Sequence, residues 1–207
     1  MSEQSPRVFT VGHSTHAMND FVGLVRRHDI TAIADVRSVP FSRFNPQFNR
    51  DPLSRSLRVH GIEYVFLGRE LGARPDDRSC YENGRVQYDR LARTQLFRAG
   101  LERVLAGAEK HRIALMCSEK EPLECHRTLL VARALDEHGV DIQHILDGGS
   151  LEPHAAAMDR LRAMFGLAND ELLRTRDMLV LDALALQEER IAYVNEDMTA
   201  QSASKAR

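Results

Sequence analysis

The chain has 207 residues, 43% of them hydrophobic and 28% charged, with a formal net charge of -2. That is enough apolar material for one domain with a substantial core, and it excludes a disordered or collagen-like chain. No apolar run approaches the length of a bilayer span. The opening MSEQSPRVFTVG lacks a basic segment followed by an apolar stretch and a cleavage site, so a cytoplasmic protein with no membrane association is expected. Three cysteines, Cys80, Cys117 and Cys125, are too few for a secreted disulfide framework and suit a reducing compartment. The near-neutral total hides an asymmetry, because residues 37–103 hold 13 Arg against 8 Asp or Glu. Arginine at such density either serves phosphate and carboxylate ligands or reflects codon usage.

In chain order, Arg7–Gly12 (RVFTVG) reads as a first strand, followed by a polar turn at His13 to Thr15. Residues 18–28 put Phe21, Val22, Leu24 and Val25 on one helical stripe. Residues 31–36 form an apolar second strand that ends in Arg37, and a long loop follows. Asp51 followed by Pro52 marks a helix start, with Asp51 as N-cap, and Gly61 marks its stop. Residues 63–67 are the third strand. Residues 68–84 show no periodicity and read as a loop. Residues 88–110 are helical in two pieces, 113–116 the fourth strand, 125–138 a helix stopped by Gly139, and 141–146 the fifth strand. From Pro153 onward the pattern is helical, and in residues 178–194 Leu179, Leu181, Leu184, Leu186, Ile191 and Val194 suggest one buried stripe that also offers a homodimer face. Residues after Met198 read as a disordered tail.

This alternation predicts an α/β fold with a mostly parallel sheet of about five strands, flanking helices and C-terminal helices. The division expected is an α/β domain over 1–150, a packed helical extension over 151–198 and the tail over 199–207. In a parallel sheet, ligands bind beyond the carboxyl ends of the strands. There the sequence delivers His13 and Ser14, Asp35 and Arg37, Cys117 and Glu119, and His144 and Asp147.

The densest segment is IALMCSEKEPLECHR, residues 113–127. A thiol at a helix start is more acidic than a free one, so Cys125 is a candidate nucleophile, with Arg127 beside it as an anion contact. Cys117, Cys125 and His126, with Glu119, also have the donor types of a transition-metal site. Their C-x7-C-H spacing, however, lacks the tight C-x2-C hairpin of structural zinc sites. A cysteine phosphatase loop is disfavoured, because Arg127 lies ten residues after Cys117 and two after Cys125 instead of six. Cys117 reads equally as a buried small hydrophobe. His13 is a candidate proton-transfer group and Ser14 a phosphate contact or a helix cap. Asp35 and Arg37 share one side of the strand, either orienting a ligand or forming a structural ion pair. Arg43, between Phe41 and Phe44, fits a stacking surface for nucleic-acid bases or a loop pinned to the core by both rings.

The motifs VGHST (11–15), ADVRSVPFSRF (34–44), LGRELGA (67–73), ALMCSEKEPLECHR (114–127) and HILDGG (144–149), taken in order, resemble the bacterial and archaeal family called domain of unknown function 488. Ala73 departs from the pattern, where many relatives carry a second glycine. The resemblance implies a single Rossmann-like domain and a pocket built from His13, Ser14, Asp35, Arg37, Ser42, Arg43, Cys117, Glu119, Cys125, His126 and Arg127. It implies no reaction and no cofactor. The leading expectation is an enzyme or ligand-binding domain acting on a phosphate-bearing ligand, such as a nucleotide or nucleic-acid end. In it Cys117, Cys125, His126 and His13 are the catalytic candidates, and Ser14, Asp35, Arg37, Ser42, Arg43, Glu119 and Arg127 bind the ligand. A metal-binding module through Cys117, Cys125 and His126, and a nucleic-acid binding module through residues 37–103, are the alternatives.

Overall fold

The chain alternates strand and helix, as a parallel sheet requires. In the computed structural model, which describes residues 6–167 and 174–199, the first half runs β1 (Arg7–Gly12), α1 (Met18–Arg26), β2 (Ala32–Asp35), α2 (Arg50–Val59) and β3 (Glu63–Phe66). A short helix α3 (Gly68–Leu71), a hairpin of β4 (Tyr81–Glu82) and β5 (Arg85–Val86), and helices α4 (Tyr88–Ala92) and α5 (Gln95–Ala108) lead back to β6 (Ile113–Cys117). There follow a π-helical segment at Arg127–Ala132 that runs into α6 (Arg133–Asp136), then β7 (Asp141–Ile145), β8 (Leu151–Pro153), α7 (His154–Met164) and α8 (Arg176–Ile191).

Six strands form one sheet in the order β3-β2-β6-β1-β7-β8. The first five are mutually parallel, and β8 closes the edge antiparallel to β7. The short β8 escapes sequence reading because its three residues merge with the helical pattern that begins at Pro153. The two faces can be told apart by side-chain alternation. Phe9, Val11, Ile33, Ala114 and Met116 pack against Phe21, Val25, Leu53 and Leu57 of α1 and α2 on one face. Val8, Ala34, Leu115 and Cys117 belong to the larger cluster on the other face, with Phe97, Leu130, Leu161 and Leu184. Strands covered on both faces have no polar side, which is why RVFTVG and IALMC are nearly continuous apolar runs.

From β1 the chain crosses to β2 on one side, and from β6 it crosses to β7 on the other. The adjacent pair β1 and β6 is therefore the topological switch point of the sheet. The ladder continues past both strands, with His13 N–H donating to Cys117 O and Ser14 N–H to Ser118 O, each at 2.9 Å. Close approach here depends on Gly12, since a Cβ at that position would lie 1.9 Å from Glu119 O.

Several sequence expectations are corrected. Residues 68–84 hold α3 and the start of a hairpin whose turn, Asn83-Gly84, has positive φ at both positions (48° and 78°). Asn-Gly is the usual signature of such a turn. Asn49, in extended backbone, occupies the N-cap of α2, so Asp51 lies inside the first turn. The helix after β6 begins at Arg127 instead of Cys125, because Cys125 remains extended behind a 3-10 turn at Pro122–Glu124. On α8, Leu179, Ala183, Leu184 and Gln187 are buried, whereas Leu181 and Leu186 are 52% and 43% exposed, so the leucines do not form one stripe. The expected tail lies, apart from Thr199, outside the described residues. No helix among the described residues is long and apolar enough to cross a membrane.

Candidate functional site

Beyond the carboxyl ends of β2 and β6 lies a cavity of about 370 Å³. Each element contributes at a point where its regular structure stops. β2 hands over Arg37, Ser38 and Val39, and β6 hands over Cys117, Ser118 and Glu119. The start of the π-helical segment supplies Cys125 and His126, and the segment after α3 supplies Arg74. The far wall comes from Ile191 and Tyr193 at the end of α8.

The floor is a cluster of sulfur, nitrogen and oxygen. His126 Nδ1 lies 3.7 Å from Cys117 Sγ and 3.9 Å from Cys125 Sγ, and Cys125 Sγ donates to Glu119 Oε2 at 2.9 Å. The other ring nitrogen, Nε2, is 3.0 Å from the Val36 carbonyl. A carbonyl can only accept, so Nε2 carries a proton and Nδ1 is the atom turned toward the sulfurs. Burial, together with the neighbouring Cys125, drives the Cys117 thiol well above its usual range. Burial opposes ionisation of Cys125 as well, but there Cys117, the Arg127 guanidinium and His126 outweigh it and hold that thiol well below its usual range. His126 is raised, burial being overcome by bonding to Cys125 and to the Val36 carbonyl, and Glu119 is raised by burial and by Cys125. The two sulfurs are thus chemically unequal. Cys125 is the one poised to ionise, with Glu119 at hand to take its proton and the His126 ring beside it.

A second network braces the cavity wall. Arg37 donates to Asp35 through Nε (2.9 Å) and Nη2 (2.6 Å), and to Phe48 O through Nη2 at 2.8 Å. Tyr64 adds a hydroxyl bond to Asp35 Oδ2 at 2.8 Å. His13 donates from Nδ1 to Ser14 O, stacks on Phe48 at 4.3 Å and accepts from Arg37 Nη1 at 3.1 Å. Burial and the adjacent Arg37 charge lower its pKa from 6.5 to about 4, so the ring is neutral near pH 7. Asp35 and Arg37 resolve as a buried ion pair at the edge of the cavity, with all three guanidinium nitrogens bonded to Asp35, His13 or Phe48.

Other candidates lie elsewhere. Arg127 is fully buried and donates to the carbonyls of Glu119 and Lys120 at 2.6 and 3.2 Å, so it clamps the loop after β6 and does not face the cavity. Its charge still reaches Cys125. Ser42 is engaged locally, its Oγ accepting from Asn45 N–H and its own N–H donating to Asn49 Oδ1. Arg43 is exposed, and Phe41 and Phe44 are 63% and 94% exposed, so neither ring pins the loop to the core. Ser14 takes up positive φ (47°) in the turn after β1. β7 does not serve the cavity. His144 is buried between Thr10 (2.8 Å) and His154 (3.0 Å), and Asp147 pairs with Lys120 and His16.

Arg74, Tyr88, Ile191 and Tyr193 belong to the cavity and escape sequence reading. Arg74 sits in an aperiodic segment, and its guanidinium lies over the Tyr193 ring at 4.6 Å, a contact between residues 119 positions apart. No local spacing signals such a pair.

Fold and site together define a class: an α/β protein with a thiol, imidazole and carboxylate cluster beyond the carboxyl end of a central strand, β6, of its sheet. Residues 17–134 match the family described as "Domain of unknown function DUF488", and the chain belongs to that family. The matched stretch contains Asp35, Arg37, Cys117, Glu119, Cys125, His126 and Arg127, while His13 and Ser14 fall just before it. No curated protein and no solved structure matches the chain.

Proposed function

We propose that the chain is an enzyme acting on a small phosphate-bearing ligand, such as a nucleotide or a nucleic-acid end, held in the cavity beyond β2 and β6. One observation carries the reading. Arg37, Arg74 and the cluster of Cys117, Cys125, His126 and Glu119 line the same hollow, whose volume of about 370 Å³ suits a small ligand. Because Asp35 neutralises Arg37, Arg74 is the principal anion contact, and Arg127 contributes by fixing the loop that carries Glu119. The buried unpaired thiols suit the reducing cytoplasm, where we place the protein.

The test is calorimetric titration with inorganic phosphate and with nucleoside monophosphates. Wild type is expected to bind at least one of them, and Arg74→Ala to weaken that binding by roughly tenfold or more, the loss of one charge-assisted hydrogen bond. Absence of binding at millimolar ligand refutes the reading.

A nucleic-acid end is favoured within this class by the exposed rings of Phe41 and Phe44 flanking exposed Arg43, with Phe41 at the cavity wall. Bases stack on such rings whatever their sequence. Affinity for a short single strand is then expected to fall steeply with salt and to drop on Phe44→Ala.

A further inference from the structure

We propose that Cys117, Cys125 and His126 together bind one zinc-class divalent ion at the cavity floor. Their three ligand atoms lie within 4.8 Å of one another, although the residues come from a strand end and from the approach to a helix. A tetrahedral ion with sulfur at about 2.3 Å and nitrogen at about 2.0 Å separates those ligands by roughly 3.6 to 3.8 Å. The measured 3.7 and 3.9 Å from His126 Nδ1 to the two sulfurs are within a few tenths of that. Seating an ion brings the two sulfurs, which lie within 4.8 Å of each other, to about 3.8 Å.

The ring orientation is the second observation. Metal-bound histidines characteristically donate their remote N–H to a carbonyl or carboxylate, which aims the other nitrogen at the ion. His126 has this arrangement, with Nε2 on Val36 O at 3.0 Å and Nδ1 facing both sulfurs. Two thiolates and an imidazole select a borderline-soft ion over magnesium or calcium. Binding requires both sulfurs as thiolates and His126 Nδ1 without a proton, so uptake displaces protons and acidifies an unbuffered solution.

All three ligands line the cavity, so the fourth position opens toward the ligand, the pattern of catalytic and not structural zinc. Glu119, whose carboxylate is 2.9 Å from Cys125 Sγ, lines the same cavity and is the carboxylate available to take a proton from water held there. This part rests on the reading of the cavity as the ligand site.

The test uses the full chain, reduced and stripped with a chelator, titrated with Co2+. One equivalent is expected, with visible bands of tetrahedral Co2+ and a near-ultraviolet sulfur-to-cobalt band, both abolished by Zn2+. Cys80→Ala, which alters a buried thiol outside the cluster, is expected to leave the titration unchanged. Cys125→Ser and Cys117→Ser are expected to lose more than the roughly 10- to 100-fold that an outer partner contributes. No stoichiometric Co2+ uptake by reduced wild type, or a spectrum without the sulfur band, overturns the proposal. Because the wild-type titration decides by itself, a variant that fails to fold does not rescue it. Phosphate titration of the metal-free protein and of its Arg74→Ala variant separates the two readings. Binding there without metal uptake rejects the ion alone, and metal uptake without phosphate binding rejects the anion site alone.

Discussion

His13 contributes to stability only while it is neutral. Its pKa is about 4 in the folded protein against 6.5 when exposed, so the unfolded chain binds the extra proton first as pH falls. Stability from this residue is therefore intact above pH 6.5 and is lost between pH 6.5 and pH 4, about 3 kcal/mol at most. Buried His144 and His154, both lowered chiefly by burial, act in the same direction. Urea titrations across this window are expected to show a falling midpoint with acidification, and proton NMR a His13 titration near pH 4. A midpoint at 6.5 contradicts the buried Arg37 contact. Arg37 invites the companion experiment. Replacing it with Met strands the Asp35 carboxylate in a fully buried site, and a loss of about 3 to 5 kcal/mol is expected from urea unfolding.

At the scale of elements, the cluster depends on how tightly the loop after β6 is held. Gly12 presses against that loop from below, and Arg127 grips its carbonyls from within. Gly12→Ala forces Glu119 O aside, so a drop of about 1 to 3 kcal/mol in stability is expected by thermal melting, along with weaker Co2+ binding. The elements themselves are largely legible in sequence where their period is local. The α1 residues Phe21, Val22, Leu24 and Val25 are all buried, as their spacing requires. Asn83-Gly84 carries a hairpin signal as plain as any in the chain, and its two-residue strands are too short to support it by pattern. Direction is what sequence leaves out. Arg37, Arg43 and Arg127 are equivalent as letters, yet one is ion-paired at the cavity, one points into solvent and one is buried under a loop. Those fates are set by contact with Asp35 for Arg37, by exposure for Arg43, and by the carbonyls of Glu119 and Lys120 for Arg127.

For the whole molecule, the C-terminal helices are part of the working structure. The end of α8 is tied to the β4–β5 hairpin, with Val86 N–H on Tyr193 O at 3.0 Å and Asn195 N–H on Gly84 O at 2.7 Å. Truncation after Arg190 is expected to leave the far-ultraviolet dichroism of the sheet, because β1, β2, β3, β6 and β7 all precede it. Removal of Ile191 and Tyr193 opens the cavity and frees the Arg74 guanidinium, so affinity for phosphate is expected to fall. An unchanged affinity shows that the wall is dispensable.

The separation in sequence between the floor and the far wall sets an order of events during synthesis. Cys117, Cys125 and His126 emerge from the ribosome well before Ile191 and Tyr193, so a nascent chain presents reactive sulfur in an unroofed basin. Chemistry at that basin is deferred until residues 191–193 are made and close its far side.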